Sequence, residues 1–194
     1  MSVAVIGCGY WGKNLIRTFS ELGELDAVCD KDESLAKFFS NEYNVPYLSF
    51  DEILESSIKA VAIASPAKQH AKLALKSFDK NKNVFVEKPL AMNVNQADKM
   101  IIKAKENGLH LMVGHLLHYH PVFKKLKEMN NKKIFGDIKY IYSNRLSFGK
   151  IRSEENVIWS FAPHDISMIL SLINSPIKSI QTKKTTLFQK GIPD

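Results

Sequence analysis

The sequence contains few cysteines and no long apolar run. Its only cysteines, Cys8 and Cys29, are too few for a disulfide framework, which favours a reducing, cytoplasmic setting. No stretch approaches the roughly 20 consecutive apolar residues that a membrane helix requires. The first residues lack the basic segment of a secretory signal. We therefore expect a soluble globular protein with no membrane association.

Charge is distributed unevenly along the chain. Residues 1–114 carry 14 basic and 14 acidic side chains, whereas residues 115–194 carry 13 basic and six acidic, so the whole net charge of +7 lies in the second part. Such asymmetry can indicate an anionic partner, but a solvated basic surface explains it more simply. No nucleic-acid-binding motif accompanies the charge, and we expect no nucleic-acid partner.

The first part of the sequence alternates short apolar runs with longer amphipathic segments. Strands that are apolar throughout, separated by helices, predict a parallel sheet covered on both faces, and hence an α/β doubly wound Rossmann domain over residues 1–116. The predicted strands are residues 2–6, 25–29, 60–64, 83–86 and 110–113. The predicted helices are residues 10–22, 34–43, 67–78 and 94–107, with Asp32 or Ser34 capping the second.

The pattern changes in the second part of the sequence. It predicts a helix near 122–129, a half-exposed strand over 139–147, a buried helix over 165–173 and a strand over 177–187. These elements indicate the first part of an α+β domain over 117–194. We expect this domain to be incomplete, because a two-stranded sheet covered by the one buried helix buries little apolar surface.

A glycine motif, GCGYWG at residues 7–12, follows the first predicted strand and opens a helix. In that context Gly7 permits a tight turn, Gly9 lets the backbone approach a pyrophosphate, and Gly12 allows close packing of helix and strand. The helix N-terminus offers amides and partial positive charge to phosphates. We predict a dinucleotide site here, which also includes Tyr10 and Trp11.

An acidic residue ends the second predicted strand. Asp30 lies 18 residues after Gly12, where a carboxylate accepts hydrogen bonds from the adenosine ribose and repels a 2′-phosphate. This favours NAD over NADP, although the neighbouring Lys31 weakens the preference.

Polar residues also follow the third predicted strand. Ser65, Pro66 and His70 lie near its carboxyl end, where ligands bind in an open parallel sheet. They can contact the nicotinamide half of the cofactor. Alternatively, Ser65 and Pro66 simply start a helix and His70 is structural.

The fourth predicted strand is followed by Glu87, Lys88 and Pro89. An ammonium group at this position can polarise a hydroxyl or carbonyl group, or act through a lowered pKa. A surface lysine is the alternative, because the chain has 24 lysines. Pro89 restricts Lys88 to extended geometry.

The second part of the chain offers a different set of candidates. His164 suits a general base, whereas Asp165 can simply cap the predicted helix. Arg145, Lys150 and Arg152 suit a diphosphate, or else lie on an exposed loop. A zinc site is not expected at His115, His118 and His120, because no cysteine or carboxylate lies among them.

Together, the glycine motif, Asp30, SPAKQH at 65–70, EKPLA at 87–91 and GH at 114–115 resemble the Gfo/Idh/MocA oxidoreductases. This resemblance covers the whole chain and implies an NAD-dependent dehydrogenase. It implies that Lys88 lies close to the nicotinamide and the reacting hydroxyl, beside a proline that is often cis. It also implies that His164 helps to deprotonate the substrate.

Residues 115–123 and 144–170 resemble a branch of that family that acts on sugar nucleotides. This implies oxidation of a ring hydroxyl, at C3 of a sugar such as UDP-N-acetylglucosamine, with His115 and Trp159 among the substrate contacts. Many members have an aspartate four residues before the histidine, where this chain has Ser160, so the base can be Lys88 or His164.

Family members are longer than this chain. The resemblance therefore implies that the second domain continues beyond Asp194 and that the full-length form is a homo-oligomer. The alternative is a truncated NAD-binding module without activity.

Overall fold

The computed structural model describes residues 2–145, 156–173, 175–186 and 192. The chain divides into two compact units, Met1–Gly114 and His115–Asp194. The division falls two residues before the boundary proposed from the sequence.

The first unit is built on a five-stranded parallel sheet. Its strands are β1 (Val3–Ile6), β2 (Leu25–Cys29), β3 (Ala60–Ile63), β4 (Asn83–Val86) and β5 (Leu111–Val113), in the order β2-β1-β3-β4-β5. Every neighbouring pair is parallel, which confirms the doubly wound α/β fold. In this order β2 lies on one side of β1 and β3 lies on the other, so the strand order changes direction between β1 and β3. Ligands of such sheets bind at this switch point.

Five helices accompany the sheet: α1 (Gly12–Glu21), α2 (Glu33–Tyr43), α3 (Phe50–Glu55), α4 (Ala67–Asp79) and α5 (Val94–Glu106). Asp32 caps α2, because its Oδ1 accepts from the amides of Ser34 and Leu35. The sequence analysis missed α3. Its signal was present as a capping box, in which Ser49 and Glu52 each accept from the other's backbone amide.

Both faces of the sheet are buried. Ile6 and Ile63 pack on one face with Phe78 of α4 and Met100 of α5. The alternate residues of the same strands, such as Val5, pack on the other face with side chains of α1 and α2. Because successive strand side chains point to opposite faces, this two-sided burial explains why β1 and β3 are apolar throughout.

The second unit is helical in the part that the structure describes. A 3₁₀ turn (Leu116–Tyr119) leads into α6 (Pro121–Asn131), and α7 spans Val157–Leu172. The predicted strands over 139–147 and 177–187 are wrong across their described residues, 139–145 and 177–186. A strand needs a partner for its backbone donors and acceptors, and within the described ranges neither segment pairs with another.

Helix α7 begins earlier than predicted. Asn156 caps it by accepting from the Trp159 amide, and the helix continues through Pro163. The predicted start, Asp165, lies two residues after that proline, a residue that is disfavoured in a helix interior. Asp165 therefore lies within α7, and the expectation that it caps a helix is wrong. Across the described residues, every helix is too short or too polar to cross a membrane.

Candidate dinucleotide site

The glycine loop joins β1 to α1 at the switch point of the sheet. Gly7 has φ +96°, and a Cβ there would lie 2.8 Å from backbone atoms of Ala64 and Ser65. At Gly12 a Cβ would overlap the carbonyl oxygen of Gly7. At Gly9 a Cβ would meet no described atom within 4 Å. Packing therefore requires glycine at positions 7 and 12. Gly9 leaves open space over the backbone, which allows a ligand to approach closely.

The carboxylate of Asp30 is fixed beside this loop. Its Oδ2 accepts from the Cys8 amide at 2.7 Å, and its Oδ1 accepts from the Asp32 amide at 2.9 Å. The negative charge is thus anchored to the glycine loop on one side and to the start of α2 on the other. The Ser34 hydroxyl, by donating to Asp32, lowers the pKa of that second carboxyl.

A cavity of about 600 Å³ lies against the loop and these carboxylates. Leu35, Phe50 and Leu73 provide apolar walls, and the ends of β2 and β3 provide polar groups. The Ser65 hydroxyl beside it is buried, with no hydrogen-bond partner among the described residues. Such an orphaned group is costly unless something binds it. The cradle and its donors fit the phosphate and ribose parts of a dinucleotide.

A second cluster forms at the end of β4 around Glu87. This side chain is 8% exposed, and its Oε1 accepts from Trp11 Nε1 at 2.6 Å. Its Oε2 accepts from the Lys88 amide at 3.2 Å. Burial raises the pKa of Glu87, while these donors and the Lys88 charge lower it. A Cβ at Gly114 would lie 2.7 Å from Oε1, so a larger residue there would have to displace the carboxylate.

His70 connects the turns that follow β3 and β4. It is 1% exposed, with Nδ1 2.8 Å from the Pro89 carbonyl oxygen and Nε2 2.8 Å from the Ser65 carbonyl oxygen. The Lys88–Pro89 peptide bond is cis. Among the residues proposed for the cofactor, Tyr10 stands apart: it is 87% exposed, and its ring lies under Lys13 Nζ.

In the second unit, α7 carries His164 next to His115. Their ring centroids are 6.2 Å apart in an edge-to-face arrangement, and both side chains are half-buried. This pairing was not predicted, because 49 positions separate the two residues in the sequence. His120 has a local role, since its Nδ1 accepts from the Val122 amide at the start of α6. Among the described residues no cluster of three candidate ligands suits a metal ion.

Arg145 is bound to Asp165. Its Nε donates to Oδ2 at 2.6 Å and its Nη2 donates to Oδ1 at 3.1 Å, and this fork lowers the pKa of Asp165. The guanidinium proposed for a diphosphate is therefore already paired with a carboxylate. Trp159 is half-buried in the first turn of α7. Lys150 and Arg152 lie outside the described residues.

The sheet order, the glycine loop and the fixed carboxylate define the first unit as a nucleotide-binding domain of the Rossmann type. The sequence model of the Gfo/Idh/MocA oxidoreductase family, described as an NAD-binding Rossmann fold, matches residues 1–115. The chain therefore belongs to this family, which confirms the resemblance noted from its motifs.

One similar protein is the UDP-N-acetylglucosamine 3-dehydrogenase of Acidithiobacillus ferrooxidans, 27% identical over 173 residues, which are 89% of this chain and 54% of that protein. A solved structure of the UDP-N-acetylglucosamine 3-dehydrogenase from Acidithiobacillus ferrooxidans superposes on this chain with a TM-score of 0.88 and 26% identity. The superposition covers 97% of this chain and 61% of that protein chain. A 3-ketoreductase from Actinomadura kijaniata, in complex with NADP and TDP-benzene, has a TM-score of 0.63 and 25% identity over 69% of this chain and 43% of its own. The chain spans about half the length of the curated relatives it matches.

Proposed function

We propose that this protein is an NAD-dependent dehydrogenase that oxidises a ring hydroxyl of a nucleotide sugar, at C3 of UDP-N-acetylglucosamine. The observation that carries the proposal is the similarity of nearly the whole chain, across both units, to a dehydrogenase of that substrate. The cavity beside the glycine loop and Asp30 supports the cofactor half of the proposal.

Three groups of the first unit would hold the cofactor. The open backbone at Gly9 and the N-terminus of α1 suit the pyrophosphate, Asp30 suits the adenosine ribose, and the orphaned Ser65 hydroxyl offers a further contact. When bound, NAD supplies the acceptor for the hydride. The fixed charge of Asp30, reinforced by Asp32 in the same cavity wall, disfavours a 2′-phosphate. Lys31 acts in the opposite direction, and a similar protein binds NADP.

Oxidation of an alcohol also requires removal of the hydroxyl proton. Lys88 and His164 are the two candidates for this step. Lys88 follows β4 on the turn that Glu87 and His70 hold in place. His164 lies in the middle of α7, where its ring contacts that of His115, and the next residue, Asp165, is fixed by the Arg145 fork. Ser160, one helical turn before His164, lacks the carboxylate that the family resemblance implies at that position.

The remaining parts of the proposal concern the cell and the assembly. Cys8 and Cys29 are free and buried, which suits a reducing cytoplasm. Burial raises the pKa of Cys8 to about 12 and that of Cys29 to about 11, so both remain unreactive thiols. We also propose that the full-length form is a homo-oligomer that binds neither a membrane nor nucleic acid.

Fluorescence titration of the chain with NADH and with NADPH tests the cofactor assignment. We expect saturable binding of NADH that is tighter than that of NADPH. Asp30→Asn should weaken NADH binding about tenfold or more, because it removes a charged acceptor. Asp26→Asn is the matched control, since Asp26 is exposed on the same strand. Absence of NADH binding by a folded chain would refute the cofactor assignment.

Turnover distinguishes the proposed enzyme from the alternative, an NAD-binding module without activity. One observation favours the alternative: Ser160 stands where the family resemblance implies a carboxylate. The chain should be assayed for NADH formation with UDP-N-acetylglucosamine and with free N-acetylglucosamine. Binding of NADH without turnover of either sugar would favour the module.

A further inference from the structure

The contacts of His70 restrict its protonation state. Its ring is buried in α4, and each nitrogen lies 2.8 Å from a backbone carbonyl oxygen, one from Ser65 and one from Pro89. A carbonyl oxygen only accepts hydrogen bonds, and a neutral imidazole has one N–H. A neutral ring would therefore direct the lone pair of one nitrogen at a carbonyl oxygen, and would leave that oxygen without its donor in the interior.

A ring with protons on both nitrogens satisfies both carbonyl groups. Hydrogen bonds from a charged donor are also stronger than those of a neutral ring. The geometry thus favours the imidazolium form, provided that a counter-charge compensates for its burial.

Glu87 provides that counter-charge. Its carboxylate is buried on the turn that follows β4; burial raises its pKa, and the charges of Lys88 and His70 act in the opposite direction. Lys88 is the other charged group that acts on this carboxylate. With His70 protonated, the cluster contains one anion, Glu87, and two cations, His70 and Lys88, that act on it.

We propose that His70 carries a proton on both ring nitrogens, and that this imidazolium is a positioning residue that ties the end of β3 to the turn presenting Lys88. The role of Lys88 in this statement rests on the proposed function. The protonation state and the tie between the two turns do not, because they follow from the contacts of His70 and the counter-charge of Glu87, neither of which involves cofactor or substrate.

The protonation state can be measured by NMR on the chain labelled with ¹⁵N-histidine, without cofactor or substrate. At pH 8.5, about two units above the ordinary histidine pKa, exposed histidines are neutral. We expect one ring with two slowly exchanging N–H protons, which show through-space contacts to Ser65 and Pro89. This signal should disappear in His70→Gln and persist in His110→Gln, a control at an exposed histidine. A ring of His70 with one unprotonated nitrogen would overturn the proposal, and the wild type alone suffices to detect it.

The tie between the turns has a separate readout. In His70→Gln, we expect the Lys88 amide, which donates to Glu87, to exchange with deuterium about tenfold faster or more, because its turn has lost a charged hydrogen bond. The amides of β2 should keep their exchange rates, as should the Lys88 amide in His110→Gln. Unchanged exchange at Lys88 in a folded His70→Gln would show that His70 does not hold this turn. Neither measurement uses NAD or a sugar, so a negative result here leaves the proposed function intact. Likewise, a failure of NADH binding or turnover leaves the proposal for His70 intact.

Discussion

In the first unit every predicted strand lies in the sheet, within one residue of its predicted bounds, whereas in the second unit neither predicted strand forms among the described residues. The difference does not lie in the strength of the local patterns, since residues 139–145 alternate clearly. The difference lies in whether a segment has a neighbouring strand to pair with and helices that bury it. Each strand of the first unit has a parallel neighbour and helices that bury it. In the second unit, large side chains such as Tyr140 and Tyr142 are about four-fifths exposed. A pattern becomes a strand only where another strand completes its hydrogen bonds.

The largest effect should come from the core of the first unit. Phe78 is fully buried beneath the sheet, so Phe78→Ala should lower the free energy of unfolding by about 3–5 kcal/mol. Phe135→Ala is the matched substitution in the second unit, where the ring is 65% exposed, and should change it by about 0.5 kcal/mol or less. Urea denaturation measures both. Similar losses would mean that the second unit buries its aromatic residues as the first unit does.

The glycine loop separates folding from binding within the first unit. Gly7→Ala places a Cβ against the Ala64 backbone at a positive φ, and should cost about 1–3 kcal/mol of stability. Gly9→Ala meets no described atom, so it should leave stability nearly unchanged and weaken NADH binding about tenfold or more, because the methyl group occupies the ligand's space. Thermal unfolding and NADH titration test the pair. Normal NADH affinity in Gly9→Ala would argue against a pyrophosphate over this loop.

Glu87 should give the first unit a distinctive pH dependence. Burial raises the pKa of this carboxyl, so the folded chain retains its proton to higher pH than the unfolded chain. The free energy of unfolding should therefore fall as the pH rises from about 4.3, the ordinary glutamate value, through the raised folded value. Glu87→Gln should remove this part of the slope, whereas Glu42→Gln, at an exposed site, should not. We expect a smaller change than for Gly7→Ala. Parallel stability curves for the wild type and Glu87→Gln would contradict it.

The smallest effect should come from the ion pair of the second unit. Because the Arg145 fork lowers the pKa of Asp165, the pair contributes stability above the ordinary aspartate value of about 3.9. That contribution is lost as the pH falls through the lowered folded value. Asp165→Asn should cost about 1 kcal/mol or less at pH 7, and less at acid pH. Asp137→Asn breaks an exposed pair with Lys133 and serves as the control. Equal effects of the two at pH 7 would show that the fork adds no more stability than an exposed ion pair.

Local patterns predicted the candidate site in part. The glycine spacing and the acidic end of β2 marked the cavity wall, because both signals lie within a short stretch of chain. The contact of Trp11 with Glu87 was not predicted, since 76 positions separate them and only the strand order brings them together. The pairing of Arg145 with Asp165, 20 positions apart, was not predicted either, because it depends on how segments of the second unit pack. Helix α3 is different: its capping box could have been found in the sequence, but six residues are too few for a clear helical period.

The sequence by itself determined the strands and most of the helices of the first unit, the glycine turn and the acidic end of β2. These depend on side-chain periodicity and on backbone preferences that act over a few residues. Only the tertiary structure decided the partners of His70, the burial of Glu87, the pairing of His115 with His164 and the absence of strands from the described residues of the second unit. Each of these depends on which distant segments meet. That is set by strand order and helix packing over the whole unit, which no local preference encodes.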